Sequence, residues 1–180
     1  MSVPQSLPES ASPIELLQHI EDLQAEELNL LHNIDALQKD IQLLEPWGEF
    51  DPASVKLLSD ASAQQIHFYR CSSKFFKREW VDTYFAMPIN ELNKSTYFIT
   101  FSEETPDIQA EQVFLPAGTL SGYIAERKAE EEKLNTVRAE LLYIYANLRS
   151  ELESGLISVQ NQISLSKVQL SDERVAGDVL

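Results

Sequence analysis

The sequence is short of cysteine and glycine, and each shortage excludes a class of structure or site. Cys71 is the only cysteine in 180 residues, so no internal disulfide can form. Its neighbours have the composition of a buried strand, which favours a small core hydrophobe over a reactive thiol and fits a reducing compartment. With five glycines and neither G-x-x-x-x-G-K-[ST] nor G-x-G-x-x-G, we expect no nucleotide-binding loop.

Basic residues and long apolar runs are also scarce. The chain has 14 bases against 29 acids, a net charge of -15, and residues 12–46 hold eight acids but one base, Lys39. Nucleic acids and anionic membrane surfaces both attract Lys and Arg, so the charge argues against both as partners. No run approaches the ~20 apolar residues that span a bilayer. Residues 1–12 lack the basic and apolar regions of a signal peptide, and we interpret them as a flexible leader.

Residues 13–46 predict a long outgoing helix. Ser12 suits the N-cap, Pro13 the first helical position, and Glu15 completes a capping box. The apolar spacing alternates between four and three over four heptads, which predicts a coiled coil. Glu27 is the one charged residue in this seam. Its apolar members are Leu16, Ile20, Leu23, Leu30, Ile34, Leu37, Ile41 and Leu44.

Residues 119–171 predict a longer returning coiled-coil helix. Its seam begins with Leu134, Val137, Leu141, Ile144 and Leu148, and apolar residues recur beyond it. The spacing then changes to four and four, a stutter that locally unwinds a supercoil, and Gly155 in that stretch is compatible with a bend. We expect residues 172–180 to be the start of a truncated strand or tail.

Residues 47–118 predict a small α+β distal lobe between the two helices. Asn93-Lys94 separates two strand candidates, 85–92 and 96–102, which indicates a hairpin. Further strands are expected at 65–71 and 112–115, with a short helix after Pro52. A second helix is expected from residue 72 or 73 to 84, with Phe75, Phe76, Trp80 and Val81 facing inward. The fold class is therefore α+β: a long antiparallel two-helix coiled-coil arm carrying a small α/β lobe at its tip.

The sequence contains no recognisable pattern of catalytic, cofactor-binding or metal-ligating residues. His19, His32 and His67 share no metal-ligand spacing, and His67 with Cys71 reads as strand packing rather than a catalytic pair. We expect no catalytic residue, no cofactor, no metal and no small-molecule substrate. The one local basic stretch has two interpretations, a solvated helix face or a contact patch for an acidic partner helix. It consists of Arg70, Lys74, Lys77 and Arg78.

Three segments carry a resemblance to a known family. They are Glu45-Pro-Trp-Gly-Glu-Phe50, Tyr84-Phe-Ala-Met-Pro-Ile-Asn-Glu91 and Thr96-Tyr-Phe-Ile-Thr-Phe101. Together with the acidic, leucine-rich return helix, they resemble the N-terminal cytoplasmic region of subunit I (subunit a) of V-type and A-type ATPases, in a bacterial form. The resemblance covers nearly all of residues 13–180. Its motifs are structural rather than catalytic.

The resemblance implies a non-catalytic stator role. The fragment would stand on the cytoplasmic side of the membrane and dock onto helical subunits of the peripheral stalk and other soluble ATPase subunits. Contact with the membrane would come only through a C-terminal half that this sequence lacks. The complex would move protons or sodium ions, and the fragment would hold its catalytic head still.

Two alternatives from other classes stay open at the level of sequence. One is a free-standing coiled-coil adaptor or chaperone-like client-binding protein that uses the seam and the lobe. The other is a helical arm of a nucleic-acid enzyme, which the acidity disfavours.

Overall fold

The computed structural model describes residues 12–177, with side chains described through residue 172. Most of the leader (1–11) and the end of the expected truncated strand (178–180) therefore lie outside the described residues. The chain divides into two compact units, Met1–Glu27 with Asn135–Leu180 as unit 1 and Leu28–Leu134 as unit 2. Within each unit the fold follows from familiar local signals.

Four helices and four strands make up the described chain. In order they are α1 (Pro13–Leu44), α2 (Pro52–Ser62), β1 (Gln65–Ser72), α3 (Glu79–Tyr84), β2 (Met87–Leu92), β3 (Ser95–Ser102), β4 (Glu111–Val113) and α4 (Leu120–Gly177). The class is α+β, as the sequence predicts. The return helix is much longer than the outgoing one, and it runs through Gly155 without interruption.

The start of α1 follows the predicted capping box. The Glu15 carboxylate accepts from the Ser12 backbone N–H at 2.9 Å, and the Ser12 hydroxyl oxygen accepts from the Glu15 N–H at 3.3 Å. Pro13 has no N–H, so two of the three unpaired N–H groups at the helix start are thus satisfied reciprocally. At its other end α1 gives way to a 3₁₀ turn, Glu45–Trp47, because Pro46 cannot continue the α-helical hydrogen bonding.

Unit 2 contains an antiparallel sheet with strand order β2-β3-β1-β4. The predicted hairpin joins β2 to β3, and its turn residues Asn93 and Lys94 both have positive φ, 50° and 63°. Two such residues give the turn a twist that matches the flanking strands. β1 pairs with β3 along its whole length and with β4 through Phe68, Tyr69 and Arg70 only.

One face of the sheet carries the core of unit 2. Phe98 is fully buried, stacked between Tyr69 and Trp80 at 5.5 and 5.6 Å between ring centroids, and Phe76 meets it edge-on at 5.1 Å. Cys71 lies in this cluster as the expected core hydrophobe. Aromatic pairs of this geometry stabilise a core beyond the area that they bury.

The helix expected between residues 72 and 84 is wrong as one continuous element. A 3₁₀ turn at Ser73–Phe75 is followed by extended backbone at Phe76, with φ -65° and ψ 120°, before α3 begins. The break lets the Phe76 ring reach Phe98. It also turns Phe75 and Val81 outward, against the sequence prediction, while Phe76 and Trp80 face inward as predicted.

The end predicted for the return helix near Ser171 is also wrong. α4 continues to Gly177. Ser171 and Asp172 are compatible with a helix interior, and no proline follows them to end the helix.

Candidate interaction surface

The two helices are joined by polar side chains in each unit. In unit 1 the His19 Nε2 lies 2.8 Å from Glu140, and Arg138 donates to Glu27 at 2.7 Å. Residue numbers rise on one helix as they fall on the other, so α1 and α4 run antiparallel there. The charged exception in the predicted seam is thereby explained, because Glu27 is a half-buried partner for a cation on the facing helix.

Unit 2 has its own pair of links between these helices. The Asn33 amide donates to Glu130 at 3.1 Å, and Arg127 donates to Gln38. Glu130 also accepts from Lys133 at 2.6 Å. The hydrogen bonds from Lys133 and from Asn33 lower the pKa of the Glu130 carboxyl, which is buried although it is charged.

The predicted seam positions are shielded from solvent. All thirteen are buried or half-buried, whereas Leu17, Leu28 and Leu43, which lie beside the seam on α1, are exposed. The buried members are Leu23, Leu30, Leu37, Ile41, Leu44, Leu134, Val137, Leu141 and Ile144, and the half-buried ones are Leu16, Ile20, Ile34 and Leu148.

The join between α1 and the sheet is built from the Glu45–Phe50 segment. Trp47 is buried with its ring edge-on to Phe68 and Tyr97, at 5.0 and 5.5 Å between ring centroids. Gly48 has φ 77°, a conformation that a side chain would strain. The Glu49 carboxylate accepts from the backbone and hydroxyl of Ser121, both at 2.8 Å, and so ties this segment to the first turn of α4.

The four predicted docking bases lie on β1 and on the passage to α3. The Arg70 guanidinium lies 5.9 Å from the Tyr97 ring centroid and 4.0 Å from Glu111. Lys77 lies 3.5 Å from Glu79. Lys74 and Arg78 are exposed and form no ion pair among the described side chains. Their docking role stays a prediction.

Two of the four bases line separate neighbouring depressions, whereas Lys74 and Arg78 line neither. Arg70 and Phe75 line a groove of about 560 Å³, Lys77 lines one of about 260 Å³, and Gln109 borders both. Acids from the β3–β4 connection and from β4 enter the linings, Asp107 in the smaller groove and Glu111 in the larger. The sequence run alone could not reveal these acids because they are some thirty to forty residues away.

An apolar groove at the β2 edge was missed by the sequence reasoning. It encloses about 350 Å³ and is lined by Gln64, Phe85, Met87, Ile99 and Phe101. Phe85 has φ 49° and is 68% exposed. Positive φ is uncommon for a bulky residue, and here it belongs to the left-handed residue that ends α3 and leaves the Phe85 ring exposed. The sequence gives no signal for this groove, since the pattern predicts that Phe85 is the first residue of a strand.

Chemistry at His67 and Cys71 is not supported by their surroundings. The Gln112 amide lies 3.2 Å from His67 Nδ1, and Gln65 lies 3.1 Å from Nε2, so a neutral ring satisfies both neighbours. Burial lowers the pKa of His67 and raises that of the Cys71 thiol, which keeps both groups uncharged. Among the described residues, no group of three His, Cys, Asp or Glu side chains is placed to hold a metal.

In the part of the chain that the structure describes, each helix is too short or too polar to cross a bilayer.

Comparison with known proteins gave no relative. The chain matched no protein-family model, no curated protein and no solved structure.

Proposed function

We propose that this chain is a non-catalytic stator part of a rotary, proton- or sodium-translocating V-type ATPase. In this role α1 and α4 form an antiparallel two-helix coiled-coil arm. Residues 47–118 form a lobe that docks onto the helical subunits of the peripheral stalk, on the cytoplasmic side of the membrane. The chain would hold the catalytic head fixed relative to the membrane sector. The family is suggested by the resemblance of residues 45–50, 84–91 and 96–101.

The observation that carries the proposal is the lateral bonding of α1 to α4. An element that resists torque needs neighbouring helices that do not slide past each other. Here an apolar seam is flanked by polar links such as Glu27–Arg138 in unit 1 and Asn33–Glu130 in unit 2. Such links fix the register of the two helices as well as adding stability.

The rigid join between helix and sheet gives further support. A lobe that transmits load from a partner must be fastened to the helices that carry it. Trp47 is inserted between aromatic rings of β1 and β3, and Glu49 bonds to the start of α4. These residues belong to the segment that carries the family resemblance.

The test is calorimetric titration of the folded chain with the purified peripheral-stalk heterodimer of the same organism, at low and moderate salt. We expect saturable binding that weakens with salt, because exposed charges are screened. Lys74→Glu/Lys77→Glu should weaken it further. The matched control is Lys56→Glu/Lys128→Glu, which makes the same change in net charge at two other exposed lysines of unit 2.

The outcome that contradicts the proposal is equally specific. If the folded chain shows no binding to the stalk at high micromolar concentrations, the stator role fails and the adaptor alternative takes its place. If the chain binds and both double variants weaken binding equally, the stator role stands while the docking role of Lys74 and Lys77 fails.

A further inference from the structure

The apolar seam of α4 continues past the part that α1 covers. Within unit 1, Leu141 and Ile144 are buried and Leu148 is half-buried, whereas every described side chain from residue 149 to 172 is exposed. At 3.6 residues per turn, the following apolar positions lie on the same face as that buried seam. They are Leu152, Leu156, Val159, Ile163 and Leu170, with Ser166 in the one polar position of the stripe.

We propose that this face, the open stripe of residues 149–172, binds the open stripe of a second copy of the chain in an antiparallel helix pair. The inference does not rest on the stator proposal. It rests on continuity with the buried α1–α4 seam, on the charge of the segment and on the order of residues along the stripe.

The charge of the segment permits self-association where the rest of the chain opposes it. Residues 149–172 contain two bases and three acids, while the remainder contains twelve bases and twenty-six acids. The positions beside the stripe carry one acid and one base and so add no net repulsion between copies. They are Glu153, Gly155, Gln160, Gln162, Lys167 and Gln169. An antiparallel pair also keeps residues 13–27 of the two copies apart, which a parallel pair does not; this part of α1 contains five acids and no lysine or arginine.

The stripe matches itself about one particular axis. Its spacings are 4, 3, 4, 3 and 4 from Leu152 to Leu170, so reversal about residue 161 places stripe positions opposite stripe positions. Val159 then meets Ile163 of the second copy, and Leu152 meets Leu170. Leu156 meets Ser166, the weakest layer, which makes a reversible dimer the expected product.

Charge complementarity selects the same register. Glu153 and Lys167 flank the stripe on the same side, and reversal about residue 161 places Glu153 of one copy beside Lys167 of the other. The two-fold axis produces this pair twice. Within one copy, Glu153 accepts from Arg149 at 3.0 Å, so in the dimer it would lie between two cations.

Light scattering over about 1 to 300 µM tests whether the stripe pairs. The wild-type mass is expected to rise from one copy to two. Val159→Glu should weaken dimerisation by at least about tenfold, because a carboxylate at the central layer would be buried twice per dimer. Ile157→Glu is the matched control, since Ile157 is similarly exposed and only two residues away but lies off the stripe. It should dimerise like the wild type.

Two results of that experiment would overturn the proposal. One is a wild-type mass of a single copy at every concentration. The other is an equal loss of dimer in both variants, which would indicate unspecific adhesion of exposed apolar residues. Helical content by circular dichroism shows that each variant is folded, and both sites are solvent-exposed.

Disulfide trapping tests the direction of the pair. In a Cys71→Ser background, Glu153→Cys and Lys167→Cys chains are mixed and oxidised. The antiparallel register predicts a mixed disulfide between the two variants and little from either alone. In a parallel pair these positions would be about 21 Å apart along the axis. Disulfides from each variant alone, without the mixed product, would overturn the proposed register.

Discussion

The two parts of α4 in unit 1 share a sequence pattern but differ in surroundings. From Val137 to Leu148 the apolar stripe lies against α1, and Ile144 is 1% exposed. From residue 149 to 172 the same stripe continues, and Val159 is 54% exposed. A heptad pattern therefore predicts that a helix is able to pair, and the length of the neighbouring helix decides where it does. The paired part is expected to supply stability and the open part to supply binding.

The largest expected difference is the response to truncation of one side chain. At about 1 µM, where the open stripe is unpaired, Ile144→Ala should lower the free energy of unfolding by about 2–4 kcal/mol, because it leaves a cavity. Val159→Ala should change it by less than about 0.5 kcal/mol. Urea unfolding followed by circular dichroism measures both. Equal losses would show that the two parts are equally packed.

Removal of the buried Glu130 carboxylate should give the next largest loss of stability. Glu130→Gln weakens the links from Asn33 and Lys133, so the variant should be less stable than the wild type at neutral pH. The folded-state pKa of Glu130 is lowered, so its contribution is present above the unfolded-state pKa and is lost as the pH falls through the folded-state value.

Thermal unfolding at about pH 7 and pH 3 checks that prediction. The difference between wild type and Glu130→Gln should shrink as the pH falls from 7 toward 3, because protonation removes the charge that Lys133 and Asn33 bind. Glu151→Gln is the control, because Glu151 lies exposed in the open part of α4. A pH-independent difference at Glu130 would mean that its charge is irrelevant.

Substitution of Gly155 is expected to stabilise α4 slightly, whereas the preceding substitutions destabilise the fold. A Cβ there would meet no atom within 4 Å, and glycine in a helix interior costs about 0.5–1 kcal/mol relative to alanine. Gly155→Ala should therefore slow amide exchange in residues 149–172 and leave residues 137–148 unchanged. Faster exchange in the variant would indicate that Gly155 serves a bend.

The smallest effect concerns ion pairs. A double-mutant cycle on Glu27 and Arg138, which link α1 to α4, should give a coupling of about 0.5–1 kcal/mol. The pair Arg149–Glu153 lies within the open part and is more exposed, so its cycle should give about 0.3–0.5 kcal/mol. A reversed order would contradict the special role of the link between helices.

Much of the fold was predictable because its signals are local. Ser12 with Glu15 specified the start of α1, and Asn93-Lys94 specified the hairpin turn. The apolar spacing also predicted which positions of α1 and α4 are buried or half-buried, while their pairing as a coiled coil stays a prediction. The interruption of the expected helix after Phe75 was not predictable, since it depends on the packing of the Phe76 ring against Phe98, which lies on another strand.

The candidate surface was less predictable than the fold. The basic run from Arg70 to Arg78 is visible in the sequence, but Asp107 and Glu111 reach its two grooves only through the pairing of β4 with β1. The groove beside Phe85 depends on a backbone conformation that no residue type at that position signals. The extent of the open stripe depends on where α1 begins relative to α4, and this follows from tertiary packing rather than from local sequence.

Hydrogen exchange along α4 at about 1 µM tests the contrast between its two parts most directly. The account predicts strong protection from residue 137 to 148 and a fall in protection after Leu148, because only the first part lies against α1. Uniform protection through residue 172 in the single-copy chain would contradict it, since the open stripe would then already have a partner.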